Sequence, residues 1–182
     1  TQAGRLRHLV DDLQELSRAE ARQIPLSLQS IAPQRLVQQA LEALEGQFAE
    51  KGLELHVQVP ENLPAVIADP SRAVQILTNL LVNALRYTPA PGKVEIDARR
   101  EENRVAFRIT DTGVGLTPEQ LTQIFERFYR VDTSRSRAFG GSGIGLTIAR
   151  SLAQAMEGDI SVTSAGLGQG SSFTLTLPCV LP

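Results

Sequence analysis

Asn79 and Asn83 stand four residues apart in a stretch of helical periodicity, so both amides share one face, off the apolar stripe of Val74, Leu77, Leu81, Ala84 and Leu85. A neutral side-chain oxygen there suits Mg2+ that already carries phosphate oxygens, since hard cations take oxygen ligands and need few from protein. Two solvated polar positions are the other reading. Further along, DTGVG (Asp111 to Gly115) sets a carboxylate before two glycines at the end of an apolar strand pattern. The glycines let backbone approach a flat ligand, and the carboxylate can accept a hydrogen bond from an exocyclic amine such as that of adenine. An ordinary tight turn with Asp at its start would use the same residues. GGSGIGL (Gly140 to Leu146) packs four glycines into six residues ahead of a helical pattern. Free backbone N–H groups and a helix dipole favour an anion there, with a mobile linker as the alternative. Between the two lies FERFYR, Phe125 to Arg130, followed by Arg135 and Arg137. Phe125 and Phe128 read as anchors of a loop, and an arginine here could support a transferring phosphoryl group in bidentate fashion. For Arg135 and Arg137 a solvated surface is the simpler assignment.

These residues need elements to hold them. Asp69 before Pro70 is a cap and first-turn pair, which starts the asparagine helix and carries it to about Tyr87. Val94 to Ala98 and Val105 to Thr110 form a hairpin that leaves Asp111 at a strand end, and Thr117, Pro118 and Gln120 begin a short helix. The glycine stretch opens a helix closed by Gly158, and Ile160 to Ala165 with Ser172 to Leu177 make a last hairpin around Gly166, Gly168 and Gly170. Upstream, Leu6, Leu9, Val10, Leu13 and Leu16 lie on a narrow helical stripe running to about Ala21, close to a coiled-coil seam, which requires a partner. Residues 25–32 read as a linker after that helix (1–24). Pro33 then starts an amphipathic helix through Leu36, Val37, Ala40, Leu41, Leu44 and Phe48 that stops near Gly52, and Leu53 to Val59 alternate as a strand. Helices interspersed with antiparallel hairpins, without regular strand–helix units, give an α/β two-layer sandwich with an N-terminal helical extension.

The chain has 182 residues, 42% hydrophobic and 21% charged, enough to bury a core and too short for several folds. Eighteen Lys plus Arg against 20 Asp plus Glu argue against nucleic acid as a partner. The single cysteine, Cys179, can form neither an internal disulfide nor a metal site alone, and a cytoplasmic location fits. No apolar run approaches the roughly 18 residues that span a bilayer. The start, TQAGRLRH, has no signal-peptide pattern and reads as that of an excised fragment.

Taken in order, the segments resemble the ATP-binding domain of bacterial sensor histidine kinases. NLLVNALRYTP is similar to that family's asparagine box, DTGVGL to its first glycine box, FERFYR to its F box, GGSGIGL to its second glycine box and GQGSSF to its third. RLRHLVDDLQELSRAE resembles the end of the second helix of its dimerisation hairpin. The resemblance implies a Bergerat fold over residues 33–182, with helices on a mixed, mostly antiparallel sheet and ATP under a flexible lid, Val131 to Gly141. It implies that Asn83 coordinates Mg2+ beside Asn79, that Asp111 reads the adenine amine, and that Gly113 and Gly115 shape its turn. Arg86 would lie near the phosphates, Tyr87 on the adenine side, Arg130 near the γ-phosphate as the catalytic arginine, and Gly141, Gly143 and Gly145 along the phosphate side, with Leu146 a further nucleotide-binding residue. The implied activity is transfer of the γ-phosphoryl to a histidine and on to a response-regulator receiver domain, in a homodimeric and membrane-anchored sensor. Related ATPases carry a glutamate one helical turn before the magnesium asparagine, where this chain has Asn79, so slow hydrolysis is expected. The family's acceptor, a histidine followed by an acid and then a proline, is absent, so the acceptor is expected upstream and His8 and His56 read as bystanders. The alternatives are an anti-sigma serine kinase and a hydrolysing ATPase.

Overall fold

The computed structural model describes residues 2–20, 23–129, 131 and 143–180. The first helix, α1 (Gln2–Glu20), is followed by strand β1 (Gln29–Ile31), helices α2 (Pro33–Glu42) and α3 (Glu45–Lys51), and strands β2 (Leu53–Gln58) and β3 (Val66–Ala68). Helix α4 (Pro70–Tyr87) leads to the hairpin β4 (Gly92–Glu101) and β5 (Arg104–Asp111). Then come α5 (Pro118–Gln123), α6 (Gly145–Ala155) and the hairpin β6 (Asp159–Thr163) and β7 (Ser171–Pro178).

Five strands form one sheet in the order β2-β4-β5-β7-β6, in which only β2 and β4 run parallel. Alternation explains its two faces. Val94, Ile96, Val105, Phe107, Ile109, Leu175 and Leu177 are buried on one side, whereas Lys93, Glu95, Arg108 and Thr174 point to the other. Helices α2, α4 and α6 lie side by side, α4 between its neighbours, and close the core with Leu36, Ile76, Leu77, Leu80, Ile148 and Leu152. The two-layer sandwich is the observed architecture.

Cap chemistry works as the residues dictate. Asp69 accepts from the Arg72 N–H at 3.2 Å with Pro70 in the first turn, and Thr117 and Gln120 form a reciprocal capping box. Two expectations fail. The single helix expected from Pro33 to about Gly52 is two, because the Leu44 N–H turns back to the Leu41 carbonyl at 2.8 Å and the helix restarts at Glu45. The expected linker over 25–32 contains β1, which pairs antiparallel with β3. Strands of three residues are too short for alternation to reveal them.

Helix α1 packs on α6. Its stripe divides: Leu16 is 1% exposed and Leu9 packs against the core, while Leu6, Val10 and Leu13 face outward. Glu15 fixes the docking, accepting from Arg72 Nη1 at 2.6 Å and from Gln75 Nε2 at 3.0 Å.

Candidate functional site

The last turns of α4, the turn after β5 and the start of α6 converge on a cleft of about 760 Å3. Asn79, Asn83, Arg86 and Tyr87 line it from α4, Asp111 and Gly115 from the β5 turn, and Gly143, Gly145 and Leu146 from the second glycine stretch. Nine of the twelve site residues expected from the sequence therefore line it. Arg130 and Gly141 lie outside the described residues, as does the expected lid except for Val131, which borders the cleft.

Asp111 lines the cleft and is 6% exposed. It accepts from the Gly113 N–H at 2.8 Å and from the Ser171 hydroxyl at 2.8 Å. Burial pushes its carboxyl above the usual carboxylate range, and the bonds from Ser171 and Gly113 oppose that shift only in part. Gly113 does not border the cleft in the way expected of it. Its role is contact, since a Cβ there would run into the Tyr87 carbonyl and the Asp111 carboxylate. The first and third glycine boxes interlock: Gly168 N–H donates to Val114 O at 2.7 Å and Gly170 N–H to Gly113 O at 3.1 Å. Gly170, at φ +69°, lies so close that a Cβ would strike the Asp111 carbonyl. The third box thus seals the floor and supplies Ser171.

Asn79 donates its amide to the Gly145 carbonyl at 3.3 Å, tying α4 to the first residue of α6. Both asparagines line the cleft, and Asn79 carries this bond to α6. Ile144 is fully buried and pins the glycine turn beneath, whereas a Cβ on Gly145 would meet open space. The start of an 11-residue helix therefore borders the cleft, and no described residue lies within 4 Å of where a Gly145 side chain would begin. The donor set also bears on Mg2+. Among the described residues no cluster of three His, Cys, Asp or Glu could hold a metal ion. Asn83 offers one neutral oxygen, which fits a hard cation that arrives with phosphate ligands of its own.

The F box behaves differently from the expectation. Phe125 packs against the core under the Arg150 guanidinium, 4.7 Å from its ring centroid, and its carbonyl accepts from the Thr147 hydroxyl at 2.9 Å. Phe128 is 55% exposed at φ +62° and anchors nothing by burial. Its backbone makes the connection instead, donating its N–H to the Gly143 carbonyl at 3.1 Å.

Five residues of α1, Gly4, His8, Leu9, Asp12 and Glu15, also line the cleft, as does Gln75. No local signal points to them, because the docking of α1 is a tertiary event. Arg72, one turn before Gln75 on α4, is the partner a sequence search would need to know.

Residues 68–181 match the family described as histidine kinase-, DNA gyrase B- and HSP90-like ATPase. The chain belongs to that family. Within it the similarity is to histidine kinases. The signal transduction histidine-protein kinase BaeS of Escherichia coli is 36% identical over 177 residues, covering 97% of this chain and 38% of BaeS. The circadian input-output histidine kinase CikA of Synechococcus elongatus is 36% identical over 175 residues, 95% of this chain and 23% of CikA. Full-length ShkA, solved in complex with AMPPNP, superposes with a TM-score of 0.85 at 35% identity, over all of this chain and 37% of that one. The chain thus spans less than half the length of these relatives. Its fold and its relatives mark it as a sensor-histidine-kinase ATP-binding domain within the ATPase family. An anti-sigma serine kinase or a hydrolysing ATPase is not favoured.

Proposed function

We propose that this ATP-binding domain takes up Mg-ATP in the α4–α6 cleft and donates the γ-phosphoryl to a histidine on a dimerisation hairpin, for relay to a response-regulator receiver domain in a two-component pathway. The observation that carries the reading is the polarity of the cleft. A buried carboxylate, Asp111, lines it beside the Tyr87 end of α4, and the glycine-bearing start of α6 lines it beside Asn79, about two turns earlier on that helix. That spacing suits a ligand with an amine-bearing ring at one end and anionic groups at the other.

Asp111 accepts a hydrogen bond from the exocyclic amine of the base. Tyr87 and Leu146 flank the ring, and Gly143 and Gly145 admit the phosphates to backbone N–H groups. Asn83 and the phosphate oxygens would hold Mg2+. Bound there, Mg2+ neutralises the charge that develops on the phosphoryl oxygens. Arg86 and Arg130 supply guanidinium charge near the phosphates. Asn79, held on Gly145, has no basic atom to activate water, so the chain protects ATP from hydrolysis until an acceptor imidazole arrives. Helix α1, residues 1–24 in the domain scheme, is then the end of the hairpin's second helix, and its outward Leu6, Val10 and Leu13 are the face it offers to a homodimeric bundle. Among the described residues no helix is long and apolar enough to cross a membrane.

Calorimetry with a non-hydrolysable ATP analogue tests the binding half. The expected result is one site per chain, tightened by Mg2+, and loss of that Mg2+ gain in Asn83→Ala. Binding indifferent to both would refute the assignment of Asn83.

A further inference from the structure

An α-helix leaves its last four carbonyls without partners inside the helix, and in α4 those four belong to the turn that bears Arg86 and Tyr87 and follows Asn83. Each of them finds a partner here. Ala84 O accepts from the Thr88 N–H at 3.1 Å and Tyr87 O from the Val114 N–H at 3.1 Å. The two between, Leu85 O and Arg86 O, both accept from the Lys51 ammonium, at 2.5 Å and 3.3 Å. Lys51 is the last residue of α3 and lies 34 residues away from Leu85 in the chain. Gly52, left-handed at φ +78°, ends α3 and turns the chain into β2, which fixes where the lysine stands.

We infer that Lys51 is a positioning residue of the nucleotide cleft: it caps the C-terminal end of α4 and so fixes both the Asn83–Tyr87 turn and, through Tyr87 O, the turn that carries Asp111. The inference rests on the nucleotide reading given above. Lys51 does not line the cleft, and its effect passes through backbone. The carbonyl end of a helix carries partial negative charge, so an ammonium that bridges two of its oxygens meets both the dipole and the unsatisfied acceptors. The neighbouring contact leaves little slack. The Tyr87 carbonyl sits where a Cβ on Gly113 would be, so a shift of the α4 end moves directly against the first glycine box. Without the cation, Leu85 O and Arg86 O lose the donor that bridges them, and the last turn is freer to fray beside the residues that meet the ligand.

The test uses the 182-residue chain with Lys51→Met and Lys51→Arg. Mg-AMP-PNP affinity is measured by calorimetry, and amide exchange is followed at Thr88, Val114 and, as a reference in β5, Phe107. Lys51→Met is expected to lose about tenfold in affinity, the scale of a hydrogen bond to a charged group. Exchange should rise at Thr88 and Val114 while Phe107 keeps its protection. Lys51→Arg, whose fork can reach two carbonyls, is expected to stay within about twofold of wild type. A folded Lys51→Met with wild-type affinity and exchange overturns the inference. So does a loss in Lys51→Arg as large as in Lys51→Met, or a fall in protection that includes Phe107, because either marks general destabilisation. A wild-type chain that binds no Mg-AMP-PNP overturns the nucleotide reading and the inference with it, and that result is told apart from the others because it needs no variant.

Discussion

Replacing Asp111 by Asn separates what this carboxylate does for the fold from what it does for the ligand. In the ligand-free protein Asp111 accepts from Gly113 N–H and the Ser171 hydroxyl, each at 2.8 Å. An asparagine can keep both contacts: its oxygen takes the Gly113 bond, and its amide donates to a Ser171 hydroxyl turned to accept. The fold therefore loses little. It also sheds a buried charge, and the sign follows from the upward shift of the Asp111 pKa, caused by burial. A carboxyl whose folded pKa is raised costs stability as pH rises through that value and costs none below the unfolded value. Asp111→Asn should thus melt no lower than wild type at pH 7, and the difference in its favour should vanish as pH falls below the ordinary carboxylate range. Binding goes the other way. The amide presents a donor where the adenine amine also donates, so a hydrogen bond to a charged acceptor worth about 1.5–3 kcal/mol is lost. That corresponds to a rise in Kd of about 10- to 150-fold. Calorimetry against an ATP analogue and thermal melts from pH 3 to pH 8 measure the two halves. Unchanged Kd in a folded variant refutes the role of Asp111, and a lower melting point at pH 7 refutes the account of its burial.

Three further outcomes are expected. Gly145→Ala meets open space and improves helix propensity, so the ligand-free protein should hold or gain up to about 1 kcal/mol in urea melts while its affinity for the ATP analogue falls. Leu16→Ala empties a site that is 1% exposed, at a cost of about 2–5 kcal/mol to α1 docking, and amide exchange should rise along α1 and not in β5. Burial raises the Asp69 pKa, but hydrogen bonds from Ser27, Ser71 and Arg72 outweigh it and hold the carboxyl below the usual range. Its contribution is therefore present above the ordinary carboxylate range and lost as pH falls through the lowered value. Asp69→Ala should cost about 1 kcal/mol at pH 7 in urea melts, and less near pH 3.

What the sequence makes legible is local chemistry. Asp69 with Pro70, and Thr117 with Gln120, announce helix starts because a cap needs only neighbours within a turn. The cleft residues of α4 and of the start of α6 are legible for a related reason: asparagines four apart, or glycines before a helix, carry their meaning in spacing. Tertiary events are hidden. Nothing near Lys51 says that its ammonium ends on the carbonyls of Leu85 and Arg86, and nothing near Glu15 says that Arg72 and Gln75 will receive it. Phe128 misleads for the opposite reason, since an aromatic in a sparse sequence suggests burial, whereas a positive φ turns this one outward. The interlock of Gly170 with Asp111 lies between the two cases. The need for glycine is visible, but the carbonyl that imposes it is 60 positions away from its neighbour Ser171 in the hydrogen-bond pair with Asp111.

The central claim is that this domain passes the γ-phosphoryl of ATP to a histidine it does not contain. The chain is mixed with a separately purified dimerisation hairpin bearing the histidine–acid–proline motif and with γ-labelled Mg-ATP. The account predicts acid-labile, base-stable label on the hairpin, none on His8 or His56, and labelling slowed about 10-fold or more when Asp111→Asn replaces wild type at an ATP concentration below the wild-type Kd. Label on the isolated chain, or steady release of free phosphate with none on the hairpin, would contradict it.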